Sequence, residues 1–403
     1  MAIAQLTWSK YALKDVVTFL LAGLLFTIPI SSSGKSIFAV LTIASILMFS
    51  EYRLQIKHVL GQAWCRALLV FVGLTLVACF WSPADIKVKL FVLEKYSKLL
   101  YLPIFLVGFR NKQVRLIGLH AFLVAMALTA LLSIGKKFNI LTLSYLDADQ
   151  VFRNHIMTSM MMVFATYLSG YLLFRQKGNL SRFFYGSLVI IYSYQILFIN
   201  ASRLGYLLYA ILMILLIIQM LNWRQAMIGI VSVLLFWGLA YKVSSTMQIG
   251  VNALSDNFKY FQQSKNTSIG FRLQFHSYAK NLFERHPLIG NGTGSFIHYF
   301  KKEDPIPAWG HKLLEPHSQY WLIAAEFGVI GLLIFAAFYC FLLKEALQLK
   351  EWRFAAIALL VSIAVGNLSD SLLFYSGSGY FFLVLMALFL SEKQDHNNSN
   401  LTY

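Results

Sequence analysis

Apolar residues in this chain gather into long unbroken runs rather than alternating with polar ones. The runs fall at roughly 13–31, 35–50, 66–82, 96–109, 115–134, 155–174, 184–200, 203–221, 225–243, 317–343, 353–369 and 375–391. Crossing a bilayer as a helix takes about 17–25 residues, and most runs reach or approach that length. The pattern predicts an all-α integral membrane protein of about 12 transmembrane helices. Helices 1–9 occupy residues 1–243, a loop domain 244–316, helices 10–12 residues 317–391, and a cytoplasmic tail 392–403. The loop is too long for a simple connection. A helix is predicted inside it, capped by Ser268, running to about Arg285 and stopped by Pro287.

Orientation follows from Lys and Arg in the connections. With the N-terminus inside, 16 of the 34 basic residues fall in cytoplasmic segments, among them Lys10, Arg53, Arg110, Arg182, Lys344 and Arg353. Short outer segments hold fewer, and the rest run from Lys242 to Lys312 in and beside the long segment. Both termini are therefore expected in the cytoplasm and the loop domain in the periplasm. The first apolar run is read as an uncleaved helix, because no A-x-A-like cleavage site follows it.

Composition sharpens the class. Hydrophobic residues make up 58% of the 403 and charged residues only 13%, against about a quarter charged in soluble domains. The net charge of +17 is read mainly as topology signal and gives no reason to expect nucleic acid. Cys65, Cys79 and Cys340 are far apart and form neither a CxxC pair nor a Cys/His cluster, so no metal, disulfide or cofactor is expected.

Four polar stretches fall on the predicted outer side: Asn200-Ala201-Ser202-Arg203, Ser268-Ile269-Gly270-Phe271-Arg272, Glu315-Pro316-His317-Ser318 and Asn367-Leu368-Ser369-Asp370. Predicted helices 6, 8 and 10 point their N-termini outward, and a helix N-terminus favours anions. Arg153, Arg203 and His317 lie at or near those ends, and arginine binds phosphate bidentately. Lys98 is a weaker phosphate candidate. Each has a bland alternative: a snorkelling arginine for Arg203, a solvated charge for Arg272, a helix-start histidine for His317, a turn cap for Asp370. Glu326, nine residues past His317, would face the opposite side of a continuous helix and is read as a buried helix–helix contact, with Gly328 and Gly331 allowing close approach. No Asp-x-Asp and no carboxylate cluster is evident on the outer side.

These stretches resemble the O-antigen ligase family, within a wider group that includes O-antigen polymerases. The resemblance rests on Pro316-His317-Ser318 with Leu322, on Glu326, Gly328 and Gly331, and on His286-Pro287-Leu288-Ile289-Gly290 with Gly292. Ser202-Arg203, Gly270-Phe271-Arg272-Leu273 and Leu368-Ser369-Asp370 resemble the ligase branch in particular. The resemblance implies a GT-C-like glycosyltransferase of the inner membrane. It would move a glycan from undecaprenyl diphosphate to the lipid A–core oligosaccharide, inverting and without a metal. His317, Arg203, Arg272 and Asp370 would be catalytic, with Arg203 and Arg272 binding the donor diphosphate; position and charge alone add Arg153 and Lys98 to that diphosphate site. Two rivals remain: a polymerase of the same architecture, whose acceptor is a second lipid-linked glycan, and, from another class, a transporter or flippase. The latter would place polar or broken helices at the bilayer midplane, whereas the notable charges here cluster at one face.

Overall fold

The computed structural model describes residues 2–141, 147–259 and 265–393. Its regular elements are all helices: α1 (Ala2–Ile30), α2 (Ser32–Met48), α3 (Ser50–Leu60), α4 (Ala63–Val77), α5 (Ile86–Ser97), α6 (Tyr101–Gly108), α7 (Lys112–Lys137), α8 (His155–Arg175), α9 (Asn179–Tyr194), α10 (Arg203–Met220), α11 (Trp223–Val243), α12 (Ser245–Lys259), α13 (Ser268–Arg285), α14 (Ser295–Glu303), α15 (Gln319–Leu347), α16 (Arg353–Gly366) and α17 (Ser376–Leu390).

Among the described residues, six helices are long and apolar enough to cross a membrane: α7, α8, the 179–199 segment that contains α9, α10, α11 and α15. A seventh results if α2 and α3, bent by 97°, count as one span. The other predicted runs form shorter apolar helices, including Ala63–Val77, Arg353–Gly366 and Ser376–Leu390. The run at 96–109 is divided by a tight turn at Lys98–Leu100. The lipid-like exterior is clearest on α11, where Ile228, Leu235 and Leu239 are all exposed. At the other extreme α17 is buried along nearly its whole length, from Phe381 to Leu390, so the apolar run there serves the bundle's interior.

The expected loop helix is present as α13, but Thr267 rather than Ser268 caps it, its hydroxyl accepting from the Gly270 N–H at 3.1 Å. Phe275, Tyr278 and Leu282 anchor α13. Phe275 packs edge-on against Phe300 and Trp309.

α15 does not run as a continuous helix. Gly328 has φ +63° and ψ −160°, a region essentially closed to residues with a Cβ. The loop after α13 fills the break with its backbone. Gly292 N–H donates to the Glu326 carbonyl at 2.8 Å, Asn291 N–H to Ala325 at 3.1 Å, and Val329 N–H to Pro287 at 2.8 Å. Groups left unpaired by the broken helix are thereby satisfied, as buried backbone requires. Gly290 makes this approach possible: a Cβ there would lie 2.3 Å from the Glu326 carbonyl carbon. The expectation of Gly328 as a helix–helix contact is corrected; it is the seat of an inserted loop. Glu326 is fully buried as expected, facing the first turn of α14 at Gly294 and Phe296.

Candidate active site

Arg203 is placed by a chain of local bonds. α9 ends in a π turn over Gln195–Ile199, and Asn200 then turns extended. Its Nδ2 donates to the carbonyls of Asp149 (3.3 Å) and His155 (3.2 Å), while its Oδ1 accepts from Ser202 N–H at 2.8 Å. Ser202 caps α10, accepting from Gly205 N–H at 3.2 Å. Arg203 is thus the first residue of an 18-residue helix, at its positive end.

Arg272, one turn into α13, faces the same space. Arg203, Arg272, His155, His276, Ser202 and Ser369 share a cavity of about 410 Å³. The two guanidinium charges act on each other. Nη1 of Arg203 and Nε of Arg272 are buried with no hydrogen-bond partner among the described residues. Two neighbouring cations with spare donors in a concave site make a receptor for an anion.

His317 lies beside this cavity, where the Arg272 charge reaches it. Its backbone is left-handed, with φ +54°, unusual for a residue with a Cβ. Glu315 holds that turn: the His317 N–H donates to Glu315 Oε2 at 2.6 Å. Nδ1 of the ring lies 3.3 Å from Glu315 Oε1 and 3.5 Å from Asp370 Oδ1. Those are ion-pair distances, and Nδ1 makes no aligned hydrogen bond to either oxygen. Phe275 stacks on the ring at 5.7 Å between centroids. Glu315 is 1% exposed and also accepts from the Tyr375 hydroxyl at 2.7 Å.

Two carboxylates against one imidazole decide its ionisation. Burial disfavours the His317 cation, but the adjacent Asp370 carboxylate and the Glu315 charge outweigh it, so the net shift is upward despite Arg272. Burial also raises Glu315, a tendency that His317 opposes and Asp370 reinforces. His276 moves the other way. Burial, with the charges of His317 and Arg272, pushes it below the ordinary imidazole range. Its Nε2 lies 3.1 Å from the His317 carbonyl; a carbonyl only accepts, so that nitrogen carries the proton and Nδ1 is left as an acceptor.

Asn367 brings Asp370 to the site. Its carbonyl at the end of α16 accepts from Gln319 N–H at 3.0 Å and from the Ser318 hydroxyl at 3.3 Å. Its side-chain Oδ1 accepts from Leu372 N–H at 3.2 Å. The start of α15, the end of α16 and the turn at Leu372 are thereby locked together.

Of the residues singled out in the sequence, Arg203, Arg272, His317 and Asp370 meet here. Arg153 and Lys98 do not line this cavity. Arg153 donates through Nη2 to the Ile28 carbonyl at 2.7 Å and also bonds the Ser32 hydroxyl. Lys98 donates to the Phe374 carbonyl at 2.7 Å. Sequence reasoning missed His276 and the role of Glu315. The signal for Glu315 was its place two residues before His317 across a proline.

The expectation of no carboxylate cluster is overturned. Ligand atoms of Glu315, His317 and Asp370 lie within 4.8 Å of one another, a spacing a cation could use. The donors are already engaged, however. Glu315 accepts from His317 N–H and Tyr375, and Asp370 Oδ1 accepts from Ser371 N–H at 3.0 Å. With Arg272 acting on the same spot, the arrangement suits a protonated imidazole better than a second cation.

Residues 187–336 match the family model described as O-antigen ligase. This segment is similar to the O-antigen ligase family. The matched segment holds Arg203, Arg272, His276, Glu315 and His317, and ends before Asp370. No curated protein matches the chain. The match supports a ligase- or polymerase-type function on glycan-linked lipids in lipopolysaccharide biosynthesis.

Proposed function

We propose that the chain is an O-antigen ligase. It transfers a glycan from undecaprenyl diphosphate to a hydroxyl of the lipid A–core oligosaccharide at the periplasmic face of the inner membrane. Twelve spans with both termini cytoplasmic and a GT-C-like architecture belong to the same reading. The observation that carries it is the pairing of two arginines, each with a buried unpartnered nitrogen, with a histidine backed by two carboxylates.

The donor diphosphate sits against Arg203 and Arg272 at the head of α10. The acceptor hydroxyl approaches from the His317 side and attacks the anomeric carbon opposite the leaving group, which inverts that centre. The new bond is acceptor oxygen to anomeric carbon. The bond that breaks joins that carbon to the diphosphate, and its electron pair leaves on the phosphate oxygen. The arginines meet the charge that develops there. His317 Nε2 takes the hydroxyl proton, with Nδ1–H directed at Glu315 and Asp370, which favour this tautomer and stabilise the imidazolium. No step requires a metal.

The lipopolysaccharide profile of a deletion strain tests the reaction class. A ligase loss leaves full-length polymer on the lipid carrier and bare core on lipid A. Core bearing one repeat unit would instead assign the polymerase, whose acceptor is a second lipid-linked glycan.

A further inference from the structure

The cavity that holds Arg203 and Arg272 is rich in donors and poor in acceptors. Among the described residues its other polar lining is three serines and two imidazoles, with no carboxylate and no side-chain amide. Ser202 is already committed to capping α10. His276 differs from the rest in being tied to the cavity and to His317 at once.

His276 comes one turn after Arg272 on α13, on the same face. Its Nε2–H donates to the His317 carbonyl at 3.1 Å, so the ring bridges the arginine pair and the histidine that acts as base. With the proton fixed on Nε2, Nδ1 carries a lone pair. That nitrogen has no hydrogen-bond partner among the described residues, and unlike Nδ1 of His317 it is not enclosed by protein. Burial, with the charges of His317 and Arg272, lowers the pKa of the ring, which keeps the lone pair available at neutral pH. A lone pair does not suit an ionised phosphate, whose oxygens have no hydrogen to give. It calls for an O–H or N–H. If the transfer reaction proposed above holds, what lies between a diphosphate on the arginines and a base at His317 is the sugar being transferred. The ring oxygen of that sugar carries no hydrogen, so the donor nearest its anomeric carbon is the substituent on C2.

We infer that His276 is a specificity-determining residue for the donor sugar, its Nδ1 accepting a hydrogen bond from the hydroxyl or amide on C2. Hydrogen bonds to that substituent strengthen as positive charge grows at the anomeric carbon, so the recognition acts on rate as well as on binding. A donor sugar without a C2 hydroxyl or amide leaves Nδ1 unpaired and is rejected on that account.

The full chain, purified in detergent, tests this with two polyprenyl-diphosphate donors, one bearing glucose and the other 2-deoxyglucose. Donor binding is measured alone, and transfer is measured with lipid A–core as acceptor. Wild type should favour the glucosyl donor by about 10-fold or more in kcat/KM, the effect of one hydrogen bond, and less strongly in binding. His276→Gln keeps an N–H for the His317 carbonyl but offers no acceptor in place of Nδ1. It should lose the preference while handling the deoxy donor like wild type. His276→Asn places its carbonyl oxygen near the Nδ1 position and should keep most of the preference. No preference in wild type would overturn the inference. So would a preference that survives His276→Gln and disappears in His276→Asn, because the ring would then act only by holding His317. An equal loss for both donors in both variants would overturn it for the same reason. A binding preference that His276→Gln abolishes would uphold the inference even with no transfer to lipid A–core, a result that counts against the ligase reaction alone.

Discussion

Glu315 grips His317 twice: its Oε2 accepts the His317 backbone N–H at 2.6 Å, and its Oε1 lies 3.3 Å from the ring Nδ1. One buried carboxylate therefore sets both the left-handed turn and the charge state of the imidazole. The pH dependence of transfer should reveal it. A general base must be neutral, and His317 is raised by Asp370 and Glu315 against the effect of burial. Transfer should accordingly climb with pH through a midpoint above the ordinary imidazole value and level off beyond it. Glu315→Gln removes a charge that favours the cation, so the midpoint should fall by about one unit or more. The maximal rate should fall too, as the turn loosens. A pH–rate profile of each enzyme checks both; an unmoved midpoint in Glu315→Gln would disconnect the pair.

The break in α15 makes a stability prediction. At Gly328 an added Cβ would lie 2.4 Å from the Leu288 carbonyl oxygen, and the backbone there is strained for any other residue. Gly328→Ala should cost more than the ~1–3 kcal/mol of the dihedral strain alone. It should show as a lowered thermal midpoint of the purified protein. Gly73, where an added Cβ would meet nothing within 4 Å, is the matched control, and Ala there should cost little.

A chelator addresses the Glu315–His317–Asp370 cluster. Because its oxygens are committed to His317, Tyr375 and Ser371, transfer by purified enzyme should persist in excess EDTA. Activity that disappears with chelator and returns with magnesium or manganese would replace the arginine account with a metal one.

Membrane orientation is tested by reporter fusions. Fusions after Arg182 and Arg353 should read cytoplasmic, and fusions within 250–310 periplasmic. The reverse would place the site on the wrong side of the membrane for a lipid-linked donor presented in the periplasm.

Much of the site was legible because its residues open helices. Ser202-Arg203 announces a cap and a first turn, and Gly270-Phe271-Arg272 sits in a helix whose end Pro287 marks. Asp370 could be paired with His317 only through family resemblance, since the contact spans 53 residues and is built by Asn367 bonding the start of α15. The break at Gly328 was hidden because apolar runs report burial, and a helix broken but refilled by another backbone stays apolar. The same blindness carried the 96–109 run from the end of α5 across the turn at Lys98 into α6. Arg153 was grouped with Arg203 because each lies near an outward helix N-terminus, and Lys98 by charge and side; neither signal says which helix ends are neighbours.

The central claim is a division of labour: Arg203 and Arg272 hold the diphosphate, and His317 acts on the acceptor hydroxyl. Measuring donor binding and transfer separately on the same preparations tests it most directly. Buried charge-assisted hydrogen bonds contribute about 1.5–3 kcal/mol each, so Arg203→Ala and Arg272→Ala should each weaken transfer at least ~10-fold, with donor affinity falling. Arg203→Lys should recover only part, because an ammonium lacks the planar fork. His317→Ala should cost roughly 10²–10⁴-fold in transfer with donor binding largely kept. Loss of donor binding in His317→Ala, with transfer per bound donor unchanged, would make the histidine a phosphate ligand and contradict its role as base. Full activity in folded Arg203→Ala and Arg272→Ala would contradict the site itself.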